Sequence, residues 1–293
     1  MANMKKIGYY PGCSLHSTGL EYDMSTRKVC EILGVELAEI KDWVCCGSSP
    51  AHQSDELMSI ALPAKNLAIA GKDPDIKEIC APCASCYSRL KAAQLRLTDD
   101  KMLRQVEEVI GEKYPDGLEV LHVLDLIMSI GAEAVEQKVV KPLNGLKVAC
   151  YYGCLMTRPP KVTGKGNFEN PLEMEEVMEA LGAEPIDWNM KTFCCGASFA
   201  LTETDVVLEL TKKVLDDALV AGADVIAVGC PLCHANLDGR QGQINEKFGT
   251  NFNVPIFYFT ELMGLAMGVD AREMGTLKHL TETEDFLKER ALL

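Results

Sequence analysis

The sequence predicts an α/β fold built as two duplicated α/β domains. Each is expected to hold a mainly parallel sheet flanked by helices, with a cysteine cluster site at the carboxyl edge of the strands. Three observations predict this. Short apolar runs alternate with helical patterns, the same motifs recur in the same order in both halves, and the cysteines of each motif fall just after predicted strands.

The repeat is read directly from the residues. YYPGC at 9–13 recurs as YYGC at 151–154, WVCCGSS at 43–49 as TFCCGAS at 192–198, and CASCYSRL at 83–90 as CPLCHANL at 230–237. A fourth match has no cysteine: VLHVLDLIM at 120–128 lines up with IFYFTELMG at 256–264. The offsets run from 136 to 149, so loop lengths differ while the element order is kept. The connector is expected around Lys141 to Gly145, KPLNG, which divides the chain into domains at 1–142 and 143–293.

In the first half, strands are predicted near Ile7 to Tyr10, Val35 to Ile40, Ile76 to Cys80 and Glu119 to Val123. Helices are predicted near Thr18 to Leu33, Asp55 to Ala70 and Ser88 to Ile110. In the second half, strands are predicted near Lys147 to Tyr152, Ala183 to Trp188, Val225 to Gly229 and Pro255 to Phe259. Strand-helix alternation at this spacing implies right-handed crossovers and a parallel sheet in each half. Loops far apart in sequence then converge on one sheet edge.

Composition narrows the function classes. The 293 residues are 47% hydrophobic and 25% charged, as in a soluble globular protein. MANMKKIGYY lacks the apolar stretch of a signal peptide and no apolar run reaches a membrane span, so a cytoplasmic location is expected. Thirteen cysteines in a reducing compartment point to metal or redox chemistry rather than disulfides. The net charge of −14 argues against a nucleic-acid partner.

The first motif is Cys13, 31 residues, Cys45-Cys46, 36 residues, then Cys83-Ala-Ser-Cys86. The second is Cys154, 39 residues, Cys194-Cys195, 34 residues, then Cys230-Pro-Leu-Cys233. A structural zinc ion takes four ligands and has no use for a fifth thiolate. Five suit a polynuclear iron-sulfur site better, although a regular four-iron cube also needs only four. Adjacent cysteines tend to point apart, so each pair would most easily serve two irons or bridge them. Gly47 and Gly196, which follow the pairs, allow a close backbone approach or positive φ. Zinc in either half, or ten cysteines merely packed in a duplicated core, are the competing readings.

Cys30, Cys80 and Cys150 have no cysteine counterpart in the repeat and read as packing residues.

These motifs resemble the cysteine-rich CCG domain family, and within it the B-subunit group of heterodisulfide reductases. The resemblance covers nearly the whole chain. It implies one noncubane [4Fe-4S] cluster held by Cys13, Cys45, Cys46, Cys83 and Cys86, and a second held by Cys154, Cys194, Cys195, Cys230 and Cys233. It also implies reduction of the coenzyme M–coenzyme B disulfide in methanogenesis. The implied partners are the ferredoxin-like C subunit and the flavin-containing A subunit of heterodisulfide reductase and, indirectly, a hydrogenase or formate dehydrogenase. Other members serving lactate, glycolate or glycerol 3-phosphate oxidation or thiol:fumarate reduction often carry a C-x2-C-x2-C-x3-C-P run. Cys80-Ala-Pro-Cys83-Ala-Ser-Cys86 lacks its fourth cysteine and proline, which favours the B-subunit reading.

Reducing a disulfide takes two electrons, and cysteines committed to metal leave no thiolate free for exchange. Two sites facing each other across the boundary, with substrate between them, would supply one electron each. Both coenzymes are anionic, so the cleft needs cations. Arg158, Lys161 and Lys165, in RPPKVTGKG, are the candidate substrate contacts, and His16, His52 and His234 lie near the motifs in sequence.

Overall fold

A computed structural model describes residues 4–48 and 50–293. The first half forms a parallel sheet from β1 (Lys5–Tyr9), β2 (Val35–Glu39), β3 (Glu78–Cys80) and β4 (Glu119–Leu121), in the order β2-β1-β3-β4. The second half repeats it with β5 (Lys147–Tyr151), β6 (Glu184–Pro185), β7 (Val225–Val228) and β8 (Ile256–Tyr258), in the order β6-β5-β7-β8. Equivalent strands pair alike. Tyr9 lies opposite Glu39 and Cys80 in the first sheet, and Tyr151 lies opposite Val228 in the second.

Helices cover these sheets, so the inner strands are apolar without alternation. All four residues of β7, Val-Ile-Ala-Val, are buried. The order reverses between β1 and β3, and again between β5 and β7. At such a point successive connections leave in opposite directions and open a crevice beyond the carboxyl ends of the strands. Cys13 and Cys83 follow β1 and β3, while Cys154 and Cys230 follow β5 and β7.

The duplicated α/β architecture matches expectation, with two local differences. The single helix predicted from Ser88 to Ile110 is two, Ala84–Arg96 and Asp100–Ile110. The Asp99 carboxylate accepts the Met102 N–H at 2.8 Å and starts a new helix, while Thr98 Oγ1 donates to the Leu95 carbonyl at 2.7 Å. The strand predicted from Ala183 to Trp188 shrinks to Glu184–Pro185, and the Trp188 indole N–H bonds the Cys150 carbonyl at 3.2 Å.

The two halves share one hydrophobic core. The Leu20–Ile32 helix packs on the Phe259–Ala266 helix, with Ser25 Oγ and Thr260 Oγ1 2.7 Å apart. Tyr22 stacks on Tyr258 with centroids 4.1 Å apart and planes 6° from parallel. His122 Nε2 meets the Gly229 carbonyl at 2.9 Å. Among the described residues no helix is long and apolar enough to cross a membrane.

Candidate functional site

Each cysteine set is assembled by the same local devices. Tyr10 Oη donates to the Val44 carbonyl at 2.8 Å, and Tyr151 Oη donates to the Phe193 carbonyl at 2.6 Å. Each bond ties the end of the first strand to the residue preceding the cysteine pair. Gly47 N–H then donates to Cys45 Sγ at 3.4 Å, and Gly196 N–H to Cys194 Sγ at 3.3 Å. Such donors favour the thiolate over the thiol. Within each pair the side chains diverge: Cys45 and Cys194 are exposed, while Cys46 and Cys195 are buried.

Gly12 and Gly153 hold φ of +67° and +63°, and a Cβ there would come within 2.9 Å of Cys86 Sγ and 3.0 Å of Cys233 Sγ. Glycine supplies both the left-handed turn and the room for sulfur. Cys83 and Cys230 occupy the N-cap positions of the helices that carry Cys86 and Cys233.

The thiols meet one another. Cys46 Sγ lies 3.4 Å from Cys86 Sγ, Cys195 Sγ 3.7 Å from Cys233 Sγ, and Cys154 Sγ 3.9 Å from Cys194 Sγ. Hydrogen bonds from Cys45 and Cys86 pull Cys46 down to about 3. The Cys154 thiol, helped by the Gly196 N–H and Arg158, brings Cys194 down to about 6. Cys230 is held well below the ordinary thiol range by Cys233 and by Cys83, which belongs to the other half. The two sets therefore come near each other across the boundary.

The remaining cysteines stand apart. Cys30, Cys80 and Cys150 are buried, and burial raises each thiol, Cys30 to about 12. Among the described residues no three His, Cys, Asp or Glu side chains gather closely enough to hold one metal ion. Five soft donors in each half, on loops with glycine at the close approaches, fit a larger thiolate-bound centre.

A cavity of about 160 Å³ opens on the second set. All five cysteines of that set line it, and none of the first set does. The opposite wall comes from the first half: Ser48, His52, Ser85 and Arg89. Leu155 and Leu232 add apolar surface from the second half.

The predicted cations are dispersed. Arg158 is exposed, lies near Cys194 and donates to Thr192 Oγ1 at 2.6 Å. Lys161 is exposed on the short Pro160–Thr163 helix. Lys165 is largely enclosed and bridges Asp125 at 2.6 Å and Glu173 at 2.8 Å. Burial opposes its charge, but Asp125 and Glu173 outweigh that and raise its pKa, so Lys165 joins the halves.

His16 meets Glu39 at 3.3 Å on the surface. His234 stacks on Tyr258 at 4.4 Å, and burial and His279 lower it to about 3. Only His52 of the three lines the cavity. Arg89 is not among the predicted contacts, because within CASCYSRL it reads as one polar residue of a helix following the cysteines. Its signal was its departure from the repeat, where Asn236 takes the matching place.

Residues 7–91 and 148–238 each match the family model described as CCG, cysteine-rich domain. The chain is 30% identical over 272 residues to the 8-methylmenaquinol:fumarate reductase membrane anchor subunit of Wolinella succinogenes, covering 92% of this chain and 95% of that one. It is 28% identical over 292 residues to the B subunit of the ferredoxin:CoB-CoM heterodisulfide reductase of Methanosarcina mazei, covering 97% and 96%. A crystal structure of a hypothetical protein from Helicobacter pylori shares the fold, with a TM-score of 0.75 and 12% identity, over 95% of this chain and 52% of that one.

The Wolinella match leaves almost no length over for an added ferredoxin domain. Lack of a ferredoxin run therefore does not separate heterodisulfide reductase from fumarate reductase relatives. With both matched copies spanning most of its length, the chain belongs to the CCG cysteine-rich domain family.

Proposed function

We propose that this chain is the iron-sulfur subunit of an oxidoreductase that reduces a disulfide in the cavity between its halves. The observation that carries the reading is the cavity itself, open to all five thiols of the second set and closed by the first half. Cys13, Cys45, Cys46, Cys83 and Cys86 would hold one noncubane [4Fe-4S] cluster, and Cys154, Cys194, Cys195, Cys230 and Cys233 the other. When bound, the clusters would supply single electrons. Cleaving RS–SR′ to two thiols consumes two electrons and two protons.

The chain's own residues bind and orient. Cys83 and Cys230 bring the two sets near each other, so the first set can serve as the entry for electrons and the second as the face toward substrate. This differs from a substrate held symmetrically between both sets, since the first set lines no part of the cavity. Leu155 and Leu232 offer an apolar wall to the body of a thioether or alkyl disulfide.

In the finer form of the reading, the substrate is the coenzyme M–coenzyme B disulfide. Electrons come from a ferredoxin-like C subunit and a flavin-bearing A subunit, in the cytoplasm. The domains are divided at 142/143. The Methanosarcina relative supports this form. The Wolinella relative favours a second reading, an electron-transferring component of an organic-acid reductase.

The test is anaerobic turnover with viologen reduced by dithionite as donor. The disulfide reading expects thiol release from the heterodisulfide by the chain alone. Absence of thiol release, with fumarate reduced only after a partner protein is added, would favour the second reading.

A further inference from the structure

The duplication provides an internal control for the cavity wall. Three of its first-half positions are polar where the repeat sets other residues: Ser48 against Ala197, Ser85 against Leu232, and Arg89 against Asn236. Asn236 has structural work, since its Nδ2 donates to the Cys195 carbonyl at 3.1 Å and its Oδ1 accepts from Arg240 at 3.0 Å. Arg89, at the matching place, makes no such hydrogen bond to its own cysteine loop among the described residues, although its charge favours the Cys46 thiolate. Its Nε is buried without a hydrogen-bond partner among the described residues, on a half-buried side chain that lines the cavity.

A buried charged donor left unpaired is costly, and a chain that keeps one beside a cavity leaves its bonding capacity for a ligand. Other cations are engaged elsewhere: Lys165 on Asp125 and Glu173, Lys191 on Glu175 at 2.7 Å, and Arg158 on Thr192, and none of the three lines the cavity. Ser85 Oγ and Ser48 Oγ bond each other beside Arg89, adding hydroxyls to the same wall. A planar guanidinium flanked by hydroxyls matches an oxyanion, such as a carboxylate, sulfonate or phosphate.

We propose that Arg89 is the specificity-determining residue of this cavity, the cation that selects an oxyanion on the thiol or disulfide already assigned to it. The anionic end lies against Arg89 and the hydroxyls, and the sulfur end points toward the second cysteine set. The assignment deepens the proposed function and rests on it only in taking the cavity as the substrate site.

The test uses the anaerobically purified, iron-loaded full chain. Calorimetric titration with 2-mercaptoethanesulfonate, 3-mercaptopropionate and uncharged 2-mercaptoethanol is compared in wild type, Arg89→Gln, Arg89→Lys and Arg158→Gln. Wild type is expected to prefer both anionic thiols. Arg89→Gln should weaken them roughly 10- to 100-fold while leaving 2-mercaptoethanol and iron content unchanged, and Arg89→Lys should keep part of the preference.

Equal affinity of wild type and Arg89→Gln for the anionic thiols overturns the assignment. Loss of the preference in Arg158→Gln with Arg89→Gln unaffected also overturns it, as does a fall in iron content in both Arg89 variants. An intact, Arg89-dependent preference in protein that turns over no disulfide would support Arg89 and sink only the disulfide reading.

Discussion

Cys83 of the first half lies close enough to Cys230 of the second to hold the Cys230 thiol well below its ordinary range, so the two five-cysteine sets come near each other across the boundary between the halves. Tyr22 lies close to both of these sulfurs, and its ring stacks on Tyr258 at 4.1 Å. Proximity of the sets is thus built into the core that joins the halves. A change there should be felt at both.

Cys46→Ser and Cys195→Ser should each remove about half of the iron and acid-labile sulfide, since one thiolate-bound centre is assigned to each half. Cys30→Ser should leave both unchanged, because Cys30 is buried away from the ten. Metal and sulfide analysis with electron paramagnetic resonance reads the outcome. One zinc per motif without sulfide would sink the iron-sulfur reading.

Gly153→Ala should deplete iron from the second set while sparing the first, because the new Cβ would lie 3.0 Å from Cys233 Sγ at a φ of +63°. Gly111→Ala carries similar backbone strain at φ +68° with nothing within 4 Å. Both should lose about 1 kcal/mol to the left-handed turn, but only Gly153→Ala should change the iron count. Equal iron in the two variants would show that the close approach to sulfur does not matter.

Lys165→Ala should act on stability rather than substrate affinity. It leaves Asp125 and Glu173 facing each other without their shared cation, at a cost of about 2 kcal/mol for this partly buried site. Thermal unfolding should show a lower midpoint, while KM for the disulfide substrate stays at the wild-type value. A raised KM with unchanged stability would return Lys165 to the binding site.

Tyr22→Ala should destabilise the protein by about 3 kcal/mol, as expected for emptying a fully buried aromatic position. Urea unfolding measures this. The spectra of both centres should broaden together, and a perturbation confined to one would argue against mechanical coupling through the Tyr22–Tyr258 stack.

The repeat and the cysteine spacing made the α/β duplication legible, because strand period, helix period and motif order are local properties of the chain. The break at Asp99 is not legible in the sequence, since a run that reads as one continuous helix hides a cap within it. Local pattern was enough to say which loops carry thiols and that they gather at one sheet edge in each half.

How the halves sit together emerged only on folding. Cys83 comes near Cys230, the cavity opens on one set alone, Lys165 is consumed in an ion pair, and the Arg89 Nε has no hydrogen-bond partner among the described residues. The physical reason is that burial and pairing across an interface depend on the relative placement of two surfaces. Residues such as Arg89 and Asn236, equivalent in the repeat, acquire different roles: Asn236 bonds Cys195 and Arg240 within its own half, whereas Arg89 lies on the cavity wall with its Nε unbonded among the described residues.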